Sequence, residues 1–148
     1  MTETTDVIQF RKAFGLPIHE KPTILRRSDA SLHLELIEEE LDELYKALKE
    51  CDLQEVFDAL IDLKYVITGM GVHMGLPMDE GWKEVHRSNC SKLDDNGEPI
   101  YHDGTEGPVG KVKKSENYWP PRLDVVLEMV DIPVEFIGGE YKRGSASD

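Results

Sequence analysis

Residues 34–48 read LELIEEELDELYKAL, and residues 52–69 read DLQEVFDALIDLKYVITG. In both segments apolar residues recur at the three-and-four spacing of a helix face. In the first they are Ile37, Leu41, Leu44 and Leu48. In the second they are Val56, Leu60, Leu63 and Ile67, with Phe57, Ile61 and Thr68 on another side. The second helix is therefore expected to be largely buried. Acids run beside these stripes. Glu39, Glu40 and Glu43 form an E-E-x-x-E cluster bordering the first, whereas Glu35, Glu38 and Asp42 point further round, toward solvent. Glu55, Asp58 and Asp62 share a stripe of the second helix with Tyr65.

Two antiparallel helices would turn these acid sets toward each other. Carboxylates gathered against a core cannot all stay ionised without cations. Hard divalent ions coordinated by oxygen answer that need, most simply two or three Mg2+, with Mn2+ able to substitute. Such ions would also create a phosphate-binding surface.

Boundaries follow from local chemistry. Ser28 or Asp29 is placed to N-cap the first long helix, which should run to about residue 49. Asp52-Leu53-Gln54-Glu55 has the form of a capping box, a structural use that competes with a ligand role for Glu55. Upstream, residues 5–14 form a short amphipathic helix ended by Gly15-Leu16-Pro17, and an irregular connector follows. Downstream, Gly75-Leu76-Pro77 is a turn, and Asp79 is placed to cap a further helix, EGWKEVHRSN, with Trp82 and Val85 as its buried residues. From Ser91 the pattern changes to turns, with Ile100-Tyr101 and Lys111-Val112 able to pair as a hairpin. Residues 123–136 fit a short helix or a strand equally well. This gives an all-α fold in three parts: a helical domain over 1–93, a loop-rich extension packed on it over 94–137, and a disordered tail over 138–148.

A chain of 148 residues is long enough for one modest core. Its net charge of −13 argues against nucleic-acid binding. The two cysteines, Cys51 and Cys90, have neither CxxC nor zinc spacing, which fits a reduced, cytoplasmic protein without a membrane partner. The histidines His19, His73, His86 and His102 show no catalytic or metal spacing and are read as structural or surface residues. Neither a hydrolase triad nor a Walker-type loop is present. Outside the acid helices, Asn89, Lys92, Lys111, Lys114, Asn117 and Tyr118 form the main polar and cationic set, a candidate phosphate and nucleoside clamp. Lys113 is read as solvated, and Trp82 and Trp119 as packing residues.

Taken together, LIEEELDEL, EVFDALIDLKYVITG, EVHRSNCSKL and GKVKKSENYWPP resemble the all-α nucleoside triphosphate pyrophosphohydrolases, the superfamily of MazG, the dimeric dUTPases and phosphoribosyl-ATP pyrophosphohydrolase. The likeness spans roughly residues 7–121. It implies Mg2+-dependent cleavage between α- and β-phosphates, giving a monophosphate and pyrophosphate. Its E-E-x-x-E falls on Glu39, Glu40 and Glu43, and its E-x-x-D on Glu55 and Asp58; Asp62 lies one turn beyond. The resemblance further implies a homodimer or a dimer of dimers, and a deoxy or non-standard nucleotide such as dUTP as substrate. Alternatives are phosphoribosyl-ATP hydrolysis, or a non-catalytic metal- or nucleotide-binding protein. Of the acids, Glu40 is the chosen general base. Two positions depart from the branch: His33 stands where Arg is usual, and Cys90 where Met is usual.

Overall fold

The structure, a computed structural model, describes residues 1–129. Its elements are α1 (Glu3–Ala13), α2 (Arg27–Glu50), α3 (Leu53–His73), α4 (Met78–Cys90), β1 (Ile100–Tyr101), β2 (Val112–Lys113) and α5 (Leu123–Glu128). The described residues are all-α with one small hairpin, as the periodicity of the sequence implies. Residues 123–128, open to either reading in the sequence, are helical, and the tail expected over 138–148 lies outside the described residues.

α2 and α3 dominate the packing. Cys51 ends α2 in the left-handed conformation (φ 56°), and its N–H donates to the carbonyls of Ala47 and Leu48. The N–H of Asp52 also turns back to the Ala47 carbonyl, at 3.0 Å. The Asp52 carboxylate then accepts from the N–H groups of Gln54 and Glu55, both at 3.1 Å, and starts α3. Two long helices joined by so short a link and packed together must run antiparallel.

Two start signals differ from expectation. α2 begins at Arg27 without a side-chain cap, so Ser28 and Asp29 lie in its first turn, where Asp29 favours the positive end of the helix dipole. α4 likewise begins at Met78 without a cap. Its Asp79 instead accepts from Thr2 Oγ1 at 2.8 Å and Thr4 Oγ1 at 2.6 Å, pinning the start of α1 to α4.

The seam between helices is built from small residues. Ala30, Ala47 and Ala59 are buried, with Val7 of α1 and Val72 of α3. Of the expected stripes, Ile37, Leu44, Val56 and Leu63 are half-buried. Leu41, Leu48, Phe57, Leu60, Ile61 and Ile67 are exposed, so α3 is not largely buried within one chain. Trp82, Val85 and Trp119 are exposed too, contrary to their reading as buried or packing residues. Each long helix has apolar residues on more than one side, and a single neighbour covers only one of them.

Beyond α4 the chain is anchored by serines. Buried Ser88 donates to the Trp119 carbonyl at 2.8 Å, Ser91 Oγ accepts from the Trp119 N–H at 2.9 Å, and Ser115 donates to the Leu93 carbonyl at 2.7 Å. Glu84 accepts from Arg87 and from the backbone N–H of Arg122. The Arg87 hydrogen bond, followed by that of Arg122, holds its pKa down at about 2, and α5 is thereby tied to α4. The hairpin pairs Ile100 with Lys113 and Tyr101 with Val112, one residue further along than the sequence suggested.

Candidate active site

Along α2 the buried or half-buried positions include Ala30, His33, Ile37, Glu40, Leu44 and Ala47, one stripe at three-and-four spacing. Glu40 therefore lies in the middle of the face turned to α3. On α3 the corresponding face carries Val56, Ala59, Asp62, Leu63 and Val66. The carboxyl of Glu40 is drawn into this seam, and its Oε2 atom is buried without a hydrogen-bond partner. Desolvation raises its pKa, followed by the charges of Asp62, Glu43, Glu39 and Asp58 in that order. The acids of the two helices thus act on one another as the sequence pattern requires, with Glu40 and Asp62 deepest and Glu39, Glu43 and Asp58 exposed.

Glu35, Glu38 and Asp42 are exposed, as expected, but so are Glu39 and Glu43, whereas Glu40 is half-buried. Glu35, Glu38, Glu39, Asp42, Glu43 and Lys46 line one shallow surface groove.

Glu55 is also exposed, in the first turn of α3. The capping box expected there is only half formed. Asp52 caps the helix, but its own N–H goes to Ala47 and not back to a Glu55 side chain. Capping therefore does not account for the Glu55 carboxylate, which stands one turn before Asp58.

Among the described residues no group of three or more His, Cys, Asp or Glu side chains is gathered closely enough to hold a metal ion unaided. Mg2+ seldom needs such a cage; it keeps water and completes its shell with substrate phosphate, taking one or two carboxylates from the protein. The fit is better judged from Glu40. A buried acceptor oxygen without a donor is costly, and a hard cation would satisfy it.

The polar set beyond α4 is organised separately. Lys92 donates to Asn89 Oδ1 at 2.8 Å, Lys114 lies 4.5 Å from the centroid of the Tyr118 ring, and Asn117 donates to Asp95 at 2.7 Å. Lys111 is exposed at the mouth of the hairpin, and Lys113 pairs with Glu106 at 3.0 Å. Their anchors are the last turn of α4 and the 94–119 loops, whereas the acids belong to the α2–α3 seam.

Sequence reasoning missed one cluster. His33, noted only as a departure from the resemblance, and His19 and His73, read as scattered, meet at the far end of the α2–α3 hairpin. His33 Nε2 lies 2.8 Å from His73 Nδ1, and the ring of His19 stacks on His73 with centroids 5.6 Å apart. Separations of 14 and 40 residues carry no local signal; only the antiparallel pairing of α2 and α3 brings them together.

Comparison with known proteins agrees with this architecture. The family model for phosphoribosyl-ATP pyrophosphohydrolase matches residues 7–89, more than half of the chain. An uncharacterised protein of Acanthamoeba polyphaga mimivirus is 31% identical over 102 residues, 63% of this chain and 36% of that protein. The chain thus spans little more than a third of the length of this curated relative. No described helix is long and apolar enough to cross a membrane. By its family match, its helices and the placing of its acid motifs, the chain belongs to the phosphoribosyl-ATP pyrophosphohydrolase family, within the MazG-like all-α pyrophosphohydrolases.

Proposed function

We propose that this protein is a Mg2+-dependent nucleoside triphosphate pyrophosphohydrolase acting on a deoxy or non-standard nucleotide, with dUTP the leading candidate. The observation that carries the reading is the buried, unpartnered Glu40 oxygen facing Asp62 and ringed by Glu39, Glu43 and Asp58. Glu39, Glu43, Asp58 and Asp62, with Glu55 at the edge and Glu40 contributing its buried oxygen, are the ligands that would hold the metal. When bound, divalent cations neutralise the phosphate chain and acidify water.

The protein's own residues supply the rest. Glu40 holds a proton more readily than an ordinary glutamate, through burial and then its acidic neighbours. Without metal its pKa thus lies above that of an ordinary glutamate. It takes the proton of the water that attacks the α-phosphorus in line. The bond from that phosphorus to the bridging oxygen breaks, and pyrophosphate leaves with the electron pair. Lys92, Lys111 and Lys114 stabilise the departing charge, and Asn89, Asn117 and Tyr118 contact the nucleoside. These residues stand apart from the acid seam, and the α2 and α3 faces are left apolar and uncovered. Both features support a homodimer, or a dimer of dimers, in which one subunit's loops serve another's acids.

A second reading, hydrolysis of phosphoribosyl-ATP, is favoured by the family match itself. Against it, the match ends at residue 89, and five of the six substrate-contact candidates lie beyond that point. Incubation of the protein with Mg2+ and dUTP, the other nucleoside triphosphates or phosphoribosyl-ATP, followed by product separation, tests both. A monophosphate with pyrophosphate from dUTP supports the first, and turnover of phosphoribosyl-ATP alone supports the second. Mg2+ binding without turnover of any of them would leave a binding protein.

A further inference from the structure

Three buried polar side chains that the proposed chemistry does not use, Arg11, His33 and His73, lie at one end of the α2–α3 hairpin. His33 of α2 and His73 of α3 are buried and bridge the two helices through their ring nitrogens. His73 is also the hub for the connector between α1 and α2. Its carbonyl accepts from the His19 N–H at 3.0 Å, and the neighbouring Met74 carbonyl accepts from Thr23 N–H at 2.8 Å. Buried Arg11 of α1 holds the other end of the connector, donating from Nε and Nη2 to the Pro17 carbonyl at 3.2 and 2.9 Å.

Two neutral rings satisfy such a bridge, one nitrogen donating and the other accepting. A first added proton would put a cation into the buried seam beside the Arg11 guanidinium. A second would leave two N–H donors opposed across 2.8 Å. The charged and titratable groups facing the pair are Arg11 from α1, Asp29 from α2 and His19 from the connector. Only Asp29 favours protonation, and it is a single carboxylate against burial and a fixed positive charge.

We propose that the His33–His73 pair is an acid-released latch, holding α1 and the 14–26 connector on the α2–α3 hairpin when neutral and letting them go when protonated. Desolvation, then Arg11, lowers the pKa of both rings from 6.5. The unfolded or opened chain therefore binds more protons than the closed one as pH falls below 6.5. Closure is at full strength above 6.5 and weakens as pH falls toward the lowered values.

Imidazole NMR on the full chain tests the latch. Both rings should titrate below 6.5. On further acidification they should protonate together with shifts in the backbone amides of residues 14–26. Titration of either ring at or above 6.5, or titration that leaves those amides unmoved, would overturn it. Thermal unfolding adds a second readout. Between about pH 7.5 and 5.5 the wild-type midpoint should fall by about 5 °C more than that of a His33→Gln, His73→Gln double variant. Equal slopes would contradict the latch, and if the double variant does not fold the wild-type titration alone decides.

Discussion

Glu40, desolvated in the seam between α2 and α3, is repelled there most strongly by Asp62, ahead of Glu43, Glu39 and Asp58. This juxtaposition across two helices is the physical centre of the account, because it makes one carboxyl costly to ionise in a protein that places it there nonetheless.

Neutralising that carboxyl should separate stability from function. The raised pKa means the folded chain holds its proton more tightly than the unfolded one, so stability is lost as pH rises through the folded value. Glu40→Gln removes the penalty. Its thermal midpoint near neutral pH should exceed that of the metal-free wild type, and the advantage should vanish near about pH 4, where wild-type Glu40 is protonated. Pyrophosphohydrolase turnover should fall by about 100-fold or more. Full turnover in this variant would move the general base elsewhere.

At the start of α3, Asp52 and Glu55 have separable jobs. Asp52→Ala removes the cap that satisfies two backbone N–H groups and should cost about 1 kcal/mol in a denaturant titration. Glu55→Gln should change stability by less than about 0.5 kcal/mol, since its side chain is exposed. If Glu55 is a ligand, the variant will need more Mg2+ for half-maximal activity. Destabilisation by Glu55→Ala of the size expected for Asp52→Ala would restore the full capping box and remove the case for Glu55.

How much of this was legible follows from the range of the interactions. The helices, the turn at Gly75 and the place of Glu40 beside the core face are local consequences of spacing, legible in the sequence. Which apolar residues a single chain buries was not. Leu41, Leu60, Ile67 and Trp82 look like core residues in any helical projection, yet the α2–α3 seam is closed by Ala30, Ala47 and Ala59. Small residues allow close approach but give a weak hydrophobic signal. The histidine bridge was illegible for a different reason, since its members are joined only through the pairing of distant segments. Asp79 misled because acids favour both helix caps and first turns, and only the position of Thr2 and Thr4 decides between them.

Two backbone positions should respond oppositely to substitution. Gly75 has φ +70°, and a Cβ there would lie 2.5 Å from the His19 carbonyl oxygen and 2.7 Å from that of Lys21. Gly75→Ala should therefore cost more than about 2 kcal/mol, combining the left-handed penalty with displacement of the connector. Cys51 occupies the left-handed helix end where glycine is favoured. Cys51→Gly should be neutral or stabilising by up to about 1 kcal/mol, and clear destabilisation would show that this estimate of the strain at Cys51 is wrong.

The uncovered apolar faces predict a concentration-dependent assembly. Phe57 and Leu60, both exposed on α3, are suited to test it. A Phe57→Glu, Leu60→Glu variant should run as a monomer in light scattering where the wild type runs as a dimer or tetramer, and should lose activity while keeping its helical circular dichroism. A monomeric, active wild type would sink the shared-site arrangement.

Hydrolysis in water enriched in heavy oxygen tests the central claim most directly. With dUTP and Mg2+, attack at the α-phosphorus places the heavy atom in the monophosphate and leaves pyrophosphate unlabelled. Label in pyrophosphate, or a diphosphate and inorganic phosphate as products, would contradict the account.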